Sequence, residues 1–224
     1  MTARTLAIVV AVLAAYKALE HAVVFGAAAW PVIGAPLVLG AVTVFLGYRR
    51  HGAALIAVAA LVSNLTPAYR NHLNLLMWVA LTLAIFDDEE QQRFVLRCQL
   101  SILYGFAAIA KVWPDWLSGE AFIARTWTGP LLPEPLVLTV VWVTILIEAL
   151  LAVTVWRRWG GWFALALVTH VAFVVFIHNE LIDVLRLVVF STLTISVWVR
   201  ATTPARNLLS GRTAAPTTRH GQPI

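Results

Sequence analysis

Lys111, Tyr104 and Arg97 are spaced by seven in the stretch Val95 to Gly119, VLRCQLSILYGFAAIAKVWPDWLSG. On a helix that spacing puts all three on one stripe, with Ser101 between them. The stretch is otherwise apolar and closes on Trp113-Pro114-Asp115-Trp116, which stops a helix and marks a membrane–water boundary. An ionisable side chain inside a membrane helix is expensive, so by default it faces the protein interior and points to a site. A lysine held neutral in such a place is a competent general base. The opposing reading is a lysine near a helix end that snorkels to the surface. The residues alone leave these two readings level.

The other groups able to do chemistry are scattered. Glu148 and His170 fall near the middle of two further apolar runs. Each needs a partner or an aqueous cavity, and pairing with each other is one solution. His72 follows Asn71 where a new helix begins, with Asn71 as its expected cap. Such a histidine is an interfacial polar residue more often than a proton donor. Gln99 completes the polar content of the central helix. Arg97 lies close to its inner end, where a structural or headgroup role fits. Trp116, Arg125 and Trp127 follow in a polar, broken segment.

Several classes are excluded. Cys98 is the single cysteine, so neither an internal disulfide framework nor a cysteine cluster is expected. The six histidines form no HxxxH or HxxH pair, so no metal is expected. There is no glycine-rich phosphate loop and no Ser-His-Asp signature. The net charge of +5 sits at segment ends and in the tail, as membrane topology produces, so nucleic acid is not expected as a partner.

The elements that must position these groups are membrane helices. Apolar residues make up 61% of the 224 and charged ones 12%, about half the charge of a soluble domain. The reading is an all-α polytopic bundle in the lipid bilayer, one domain over residues 1–199, with a disordered basic tail over 200–224. Eight spans are expected, at about Thr5–Phe25, Pro31–Tyr48, Ala53–Leu65, His72–Phe86, Phe94–Trp113, Pro135–Trp156, Trp162–Ile177 and Leu181–Val199. The third and fourth runs are short for a core of ~30 Å. Asp115 to Leu132 reads as an amphipathic segment on the surface, which can also roof a pocket. The polar turn Tyr16, Lys17, Glu20, His21 reads as an interfacial helix end, and Asp183 with Arg186 as a same-face pair. Of the 16 basic residues, eleven fall on the N-terminal side and five (Lys17, Arg70, Lys111, Arg125, Arg186) toward the other. That bias puts both termini in the cytoplasm. Lys111, His72 and Trp116 then face the non-cytoplasmic side.

The central stretch resembles the core of the HTTM (horizontally transferred transmembrane) domain, the membrane part of vitamin K-dependent γ-glutamyl carboxylase. The matching elements are Leu96-Arg97-x-Gln99, Tyr104, Ala107, Lys111 and Asp115-Trp116-x-x-Gly119. Asn71-His72-x-x-Leu75 looks like the family's Asn-His motif, and Trp127, Glu148 and His170 continue the match more weakly. The resemblance covers roughly Asn71 to Asn179, about half the chain. It implies that Lys111 is the base that deprotonates a reduced quinone of the vitamin K or menaquinone type, that His72 is catalytic, and that O2 is consumed. In the family the oxygenated quinol then removes the γ-proton of a peptide glutamate and CO2 traps the carbanion. The longest outward segment here, Asp115 to Glu134, is too short to grip a docked protein, so carboxylation is the weaker half of the implication.

The expected function is therefore a quinol-dependent oxygenation, epoxidase-like, with or without carboxylation. Asn71, Tyr104, Trp116, Arg125, Trp127 and His170 would line the quinone site, with Arg97, Gln99 and Glu148 as supporting polar groups. The alternative is a non-enzymatic quinone- or lipid-binding module that serves a partner protein. A small proton-linked transporter is the third reading, though no convincing internal repeat is present. The expected location is a bacterial plasma membrane.

Overall fold

Buried positions on the first helix, α1 (Ala3–Phe25), include Leu6, Ala7, Val10, Ala11, Ala14 and Ala18. Small alanines let neighbouring helices approach closely, and α1 packs against four of them. The computed structural model describes residues 1–25, 30–65, 71–157, 160–176 and 181–202. Among these all regular elements are helical. After α1 come a π-helical turn (Trp30–Gly34), α2 (Ala35–Phe45), α3 (Arg49–Asn64), α4 (Asn71–Ile85) and α5 (Glu89–Ala110). Two short helices, α6 (Pro114–Leu117) and α7 (Glu120–Arg125), and a 3-10 turn (Gly129–Leu131) form a strap. It is followed by α8 (Glu134–Thr154), α9 (Gly160–Phe176) and α10 (Leu181–Thr202).

Among the described residues, four helices are long and apolar enough to cross a membrane: Ala3–Val23, Glu89–Ala110, Glu134–Thr154 and Val184–Thr202. Trp30–Phe45, Leu73–Ile85 and Gly161–Phe176 are apolar but shorter. Eight crossings were expected from the sequence; length and composition qualify four.

Local chemistry sets the boundaries. Asp88 caps α5 by accepting from the Gln91 amide at 2.7 Å, and Glu89 and Glu90 fill the first turn, where the helix dipole favours acids. The basic run at Arg49, expected as a loop, instead opens α3. There Arg50 reaches the C-terminal end of α4, donating to the carbonyls of Ala84 and Ile85 and to Asp87. The α2–α3 hairpin closes on two glycines. A Cβ on Gly52 would lie 2.6 Å from the Gly40 carbonyl oxygen.

Two further expectations change. The polar turn of α1 is not an interfacial end: Lys17, Glu20 and His21 are buried, 1%, 4% and 1% exposed. Glu20 is held by Lys17 and by the Arg186 Nε of α10 at 2.7 Å. Arg186 therefore pairs across helices, while the side chain of Asp183 lies outside the described residues. Arg200 is not part of a tail, since α10 runs to Thr202 and carries Arg200 buried. Its guanidinium donates to the Met1 carbonyl at 3.3 Å and Gln92 at 3.2 Å, with Glu89 3.4 Å away. The start of α1, the start of α5 and the end of α10 thus meet at one end of the molecule.

Candidate functional site

Lys111 ends α5 as its C-cap residue, just before the Trp113-Pro114 step. Glu148 projects from α8, the helix packed along α5. Its two carboxylate oxygens each accept from Lys111 Nζ at 2.7 Å. The carboxylate is 3% exposed and the lysine side chain 14%. The strap covers this pair. Lys111 Nζ lies 5.2 Å from the Trp116 ring centre, and the Arg125 guanidinium lies 5.4 Å from the same ring. A tryptophan face flanked by two cations is a favourable cation–π arrangement. Gly119 makes the strap possible. Its φ of 83° is the left-handed region open to glycine, and a Cβ there would meet Val137 at 2.6 Å.

Tyr104 lies one heptad below Lys111, roughly 10 Å along α5. It is buried, and its hydroxyl and His170 Nε2 are 2.8 Å apart. The Nδ1 of His170 is 3.1 Å from the Ser191 hydroxyl of α10. Trp198 packs edge-on against the Tyr104 ring, with centroids 5.9 Å apart. Three helices are therefore joined through one histidine. Of the solutions left open by the sequence, each group takes another partner: Glu148 pairs with Lys111, and His170 with Tyr104 and Ser191.

The remaining candidates hold the helices together. Gln99 donates to Thr82 Oγ1 at 2.7 Å and to the Trp78 carbonyl at 3.1 Å, tying α5 to α4. Arg97 donates from Nε to the Ala201 carbonyl at 3.0 Å and sits 6.0 Å from the Trp156 ring, which fits its structural reading. Trp127 ties the strap to α9, its indole N–H donating to the Val175 carbonyl at 2.8 Å while its ring stacks on Phe176. Asn71 and His72 open α4, but their side chains lie outside the described residues. Sequence reasoning passed over Ser191 because a lone serine in an apolar run carries no signal. It also undervalued Lys17 and Glu20, whose i,i+3 spacing was the available clue.

The chain matches no family model, no curated protein and no solved structure.

Proposed function

We propose that this chain is an HTTM-type membrane protein that carries out a quinol-dependent oxygenation with Lys111 as general base, with or without coupled glutamate carboxylation. The observation that carries the reading is the Lys111–Glu148 pair. It is nearly closed off from solvent, roofed by Trp116, and joins the C-terminal end of α5 to the interior of α8, two helices long enough to cross a bilayer. Both Glu148 oxygens accept from Nζ at 2.7 Å, so the carboxylate fixes where the lysine nitrogen sits. The base role requires the amine form of Lys111 at the moment of reaction. The reduced quinone supplies the redox chemistry: one quinol and one dioxygen give one quinone epoxide and one water, with no further reductant. Trp116 and Arg125 wall the site from the strap side, and His72, on the motif it shares with the family, assists at a ring oxygen.

The topology belongs to the same proposal. Eight crossings would bring both ends of the bundle to one side, consistent with the contact of Arg200 with Met1. That end carries the excess of basic residues, so it is the cytoplasmic one and Lys111 faces outward, in a bacterial plasma membrane.

The experiment is a product assay. Purified protein in detergent receives reduced menaquinone or vitamin K in air, and the epoxide is sought by mass spectrometry beside Lys111→Ala and His72→Ala. Epoxide from the wild type and none from Lys111→Ala supports the base role. A folded wild type that binds quinone and makes no epoxide overturns it. The second reading, a quinone- or lipid-binding module serving a partner protein, is favoured by the engagement of both Glu148 oxygens with Lys111, which can be a purely structural clamp. It requires that Lys111→Ala leave quinone binding intact.

A further inference from the structure

Between α9 and α10 lies a groove of about 370 Å³ that is open on its outer side. Its walls are apolar, formed chiefly by Leu167, Val171, Val175, Val188 and Ile195. Its floor is not. His170 and Ser191, joined at 3.1 Å, line it together with Thr192 and Ser196. Hydroxyls on apolar helices ordinarily bond back to a carbonyl one turn earlier. Thr194 and Thr202 on the same helix do so, onto Phe190 and Trp198 at 2.8 Å each. Thr192 and Ser196 make no such bond among the described residues. Two donors thus face an apolar groove with their hydrogens uncommitted. In hydrocarbon surroundings that arrangement is costly until a ligand accepts from them.

The histidine relay adds direction. A neutral imidazole donates from one nitrogen and accepts at the other. When Tyr104 donates to Nε2, Nδ1–H donates to Ser191, and the Ser191 hydroxyl is left to donate onward. The groove then presents three hydroxyl donors from α10, Ser191 at its floor and Thr192 and Ser196 toward its mouth, with branched aliphatic side chains around them. Its volume lies in the range of small-ligand sites, about 300–1,000 Å³.

From this we infer that the groove is a docking site for a bilayer-soluble molecule with a carbonyl-bearing ring, a quinone, taken up sideways from the membrane between α9 and α10. The inference rests on the quinone reading above and adds a place and a route to it. Tyr104, bonded to His170 of the groove, lies a heptad before Lys111, roughly 10 Å along α5, so the groove would hold the ligand before it reaches the reacting position. The strap is tied beside it, since Trp127 is bonded to the carbonyl of Val175, a lining residue.

The test uses a 1,4-naphthoquinone with a diazirine on its alkyl tail, added to the full chain in lipid nanodiscs and mapped by mass spectrometry after illumination. Labelling on α9 and α10, competed by unlabelled menaquinone, is the expected result. Val171→Trp and Val188→Trp fill the groove and should each reduce that labelling about tenfold, the loss expected for a blocked hydrogen-bonded subsite. Val143→Trp on the exposed face of α8 should leave it unchanged. Mapping on the wild type keeps the test decisive if a tryptophan variant fails to fold. Competed labelling that maps elsewhere, or that survives groove filling, overturns the groove and leaves the quinone reading standing. Labelling that unlabelled quinone does not compete marks ordinary lipid contact, and also overturns it. An absence of any labelling above that of bulk lipid overturns both.

Discussion

Removing one partner of the Lys111–Glu148 pair should destabilise the protein far more than removing both. The pair has two 2.7 Å contacts and the carboxylate is 3% exposed, so neither charge has ready access to water. Breaking a buried ion pair costs about 3–5 kcal/mol, because an uncompensated charge is left behind. In Glu148→Leu, Lys111 loses both 2.7 Å contacts to the carboxylate but is 14% exposed and retains the Trp116 ring at 5.2 Å. A cation–π contact of that kind is worth about 0.5–2 kcal/mol, so the expected loss is at the lower end, about 3 kcal/mol. For a chain of this size that is a fall in melting temperature of about 6–12 °C. The double variant Lys111→Met/Glu148→Leu replaces two charges by apolar groups of similar volume and should lie within about 1 kcal/mol of wild type. The assay is the thermal unfolding of detergent-solubilised protein for wild type, both single variants and the double variant. A double variant as unstable as the sum of the singles would refute the reasoning, since the two groups would then not be coupled.

Other perturbations have equally definite outcomes. Gly52→Ala drives a methyl group against the Gly40 carbonyl oxygen at 2.6 Å and should cost about 1–3 kcal/mol by overpacking, read as a lower melting temperature. Arg200→Met unties Met1, Gln92 and Glu89, so backbone amides in the first turns of α1 and α5 should exchange hydrogen faster while the middle of α4 is unaffected. Trp127→Phe keeps the ring but removes the indole donor to Val175, a bond worth about 1 kcal/mol. Limited proteolysis should then cut between Gly119 and Pro133 sooner than in wild type, with little change in melting temperature.

The stripe of Arg97, Tyr104 and Lys111 was legible because helical spacing is fixed by geometry: α5 carries the first two and ends on Lys111 as its C-cap. The broken segment after Lys111 was legible from Pro114, which stops a helix, and from the polar residues Glu120 and Arg125 beyond it. Partner choice was not. Glu148 pairs with Lys111 and not His170 because α8 packs along α5 far more extensively than against α9, and helix adjacency is not encoded in one helix's own pattern. The same holds for Glu20 and Arg186, which lie 166 positions apart and meet only when α1 packs on α10. Arg200 looked like the start of a polar tail because its neighbours are Ala, Thr and Pro. The acceptors that bury it come from α5 and the N-terminus.

The central claim is that Lys111 drives oxygenation of a quinol, and one isotope measurement tests it most directly. Reduced menaquinone is incubated with the purified protein under isotopically heavy dioxygen, and heavy oxygen is sought in the quinone epoxide. The account predicts one heavy oxygen per epoxide formed by wild type, with Lys111→Ala forming no epoxide above the protein-free control. Heavy epoxide formed equally well by Lys111→Ala, or none formed by a folded wild type that binds the quinone, would contradict it.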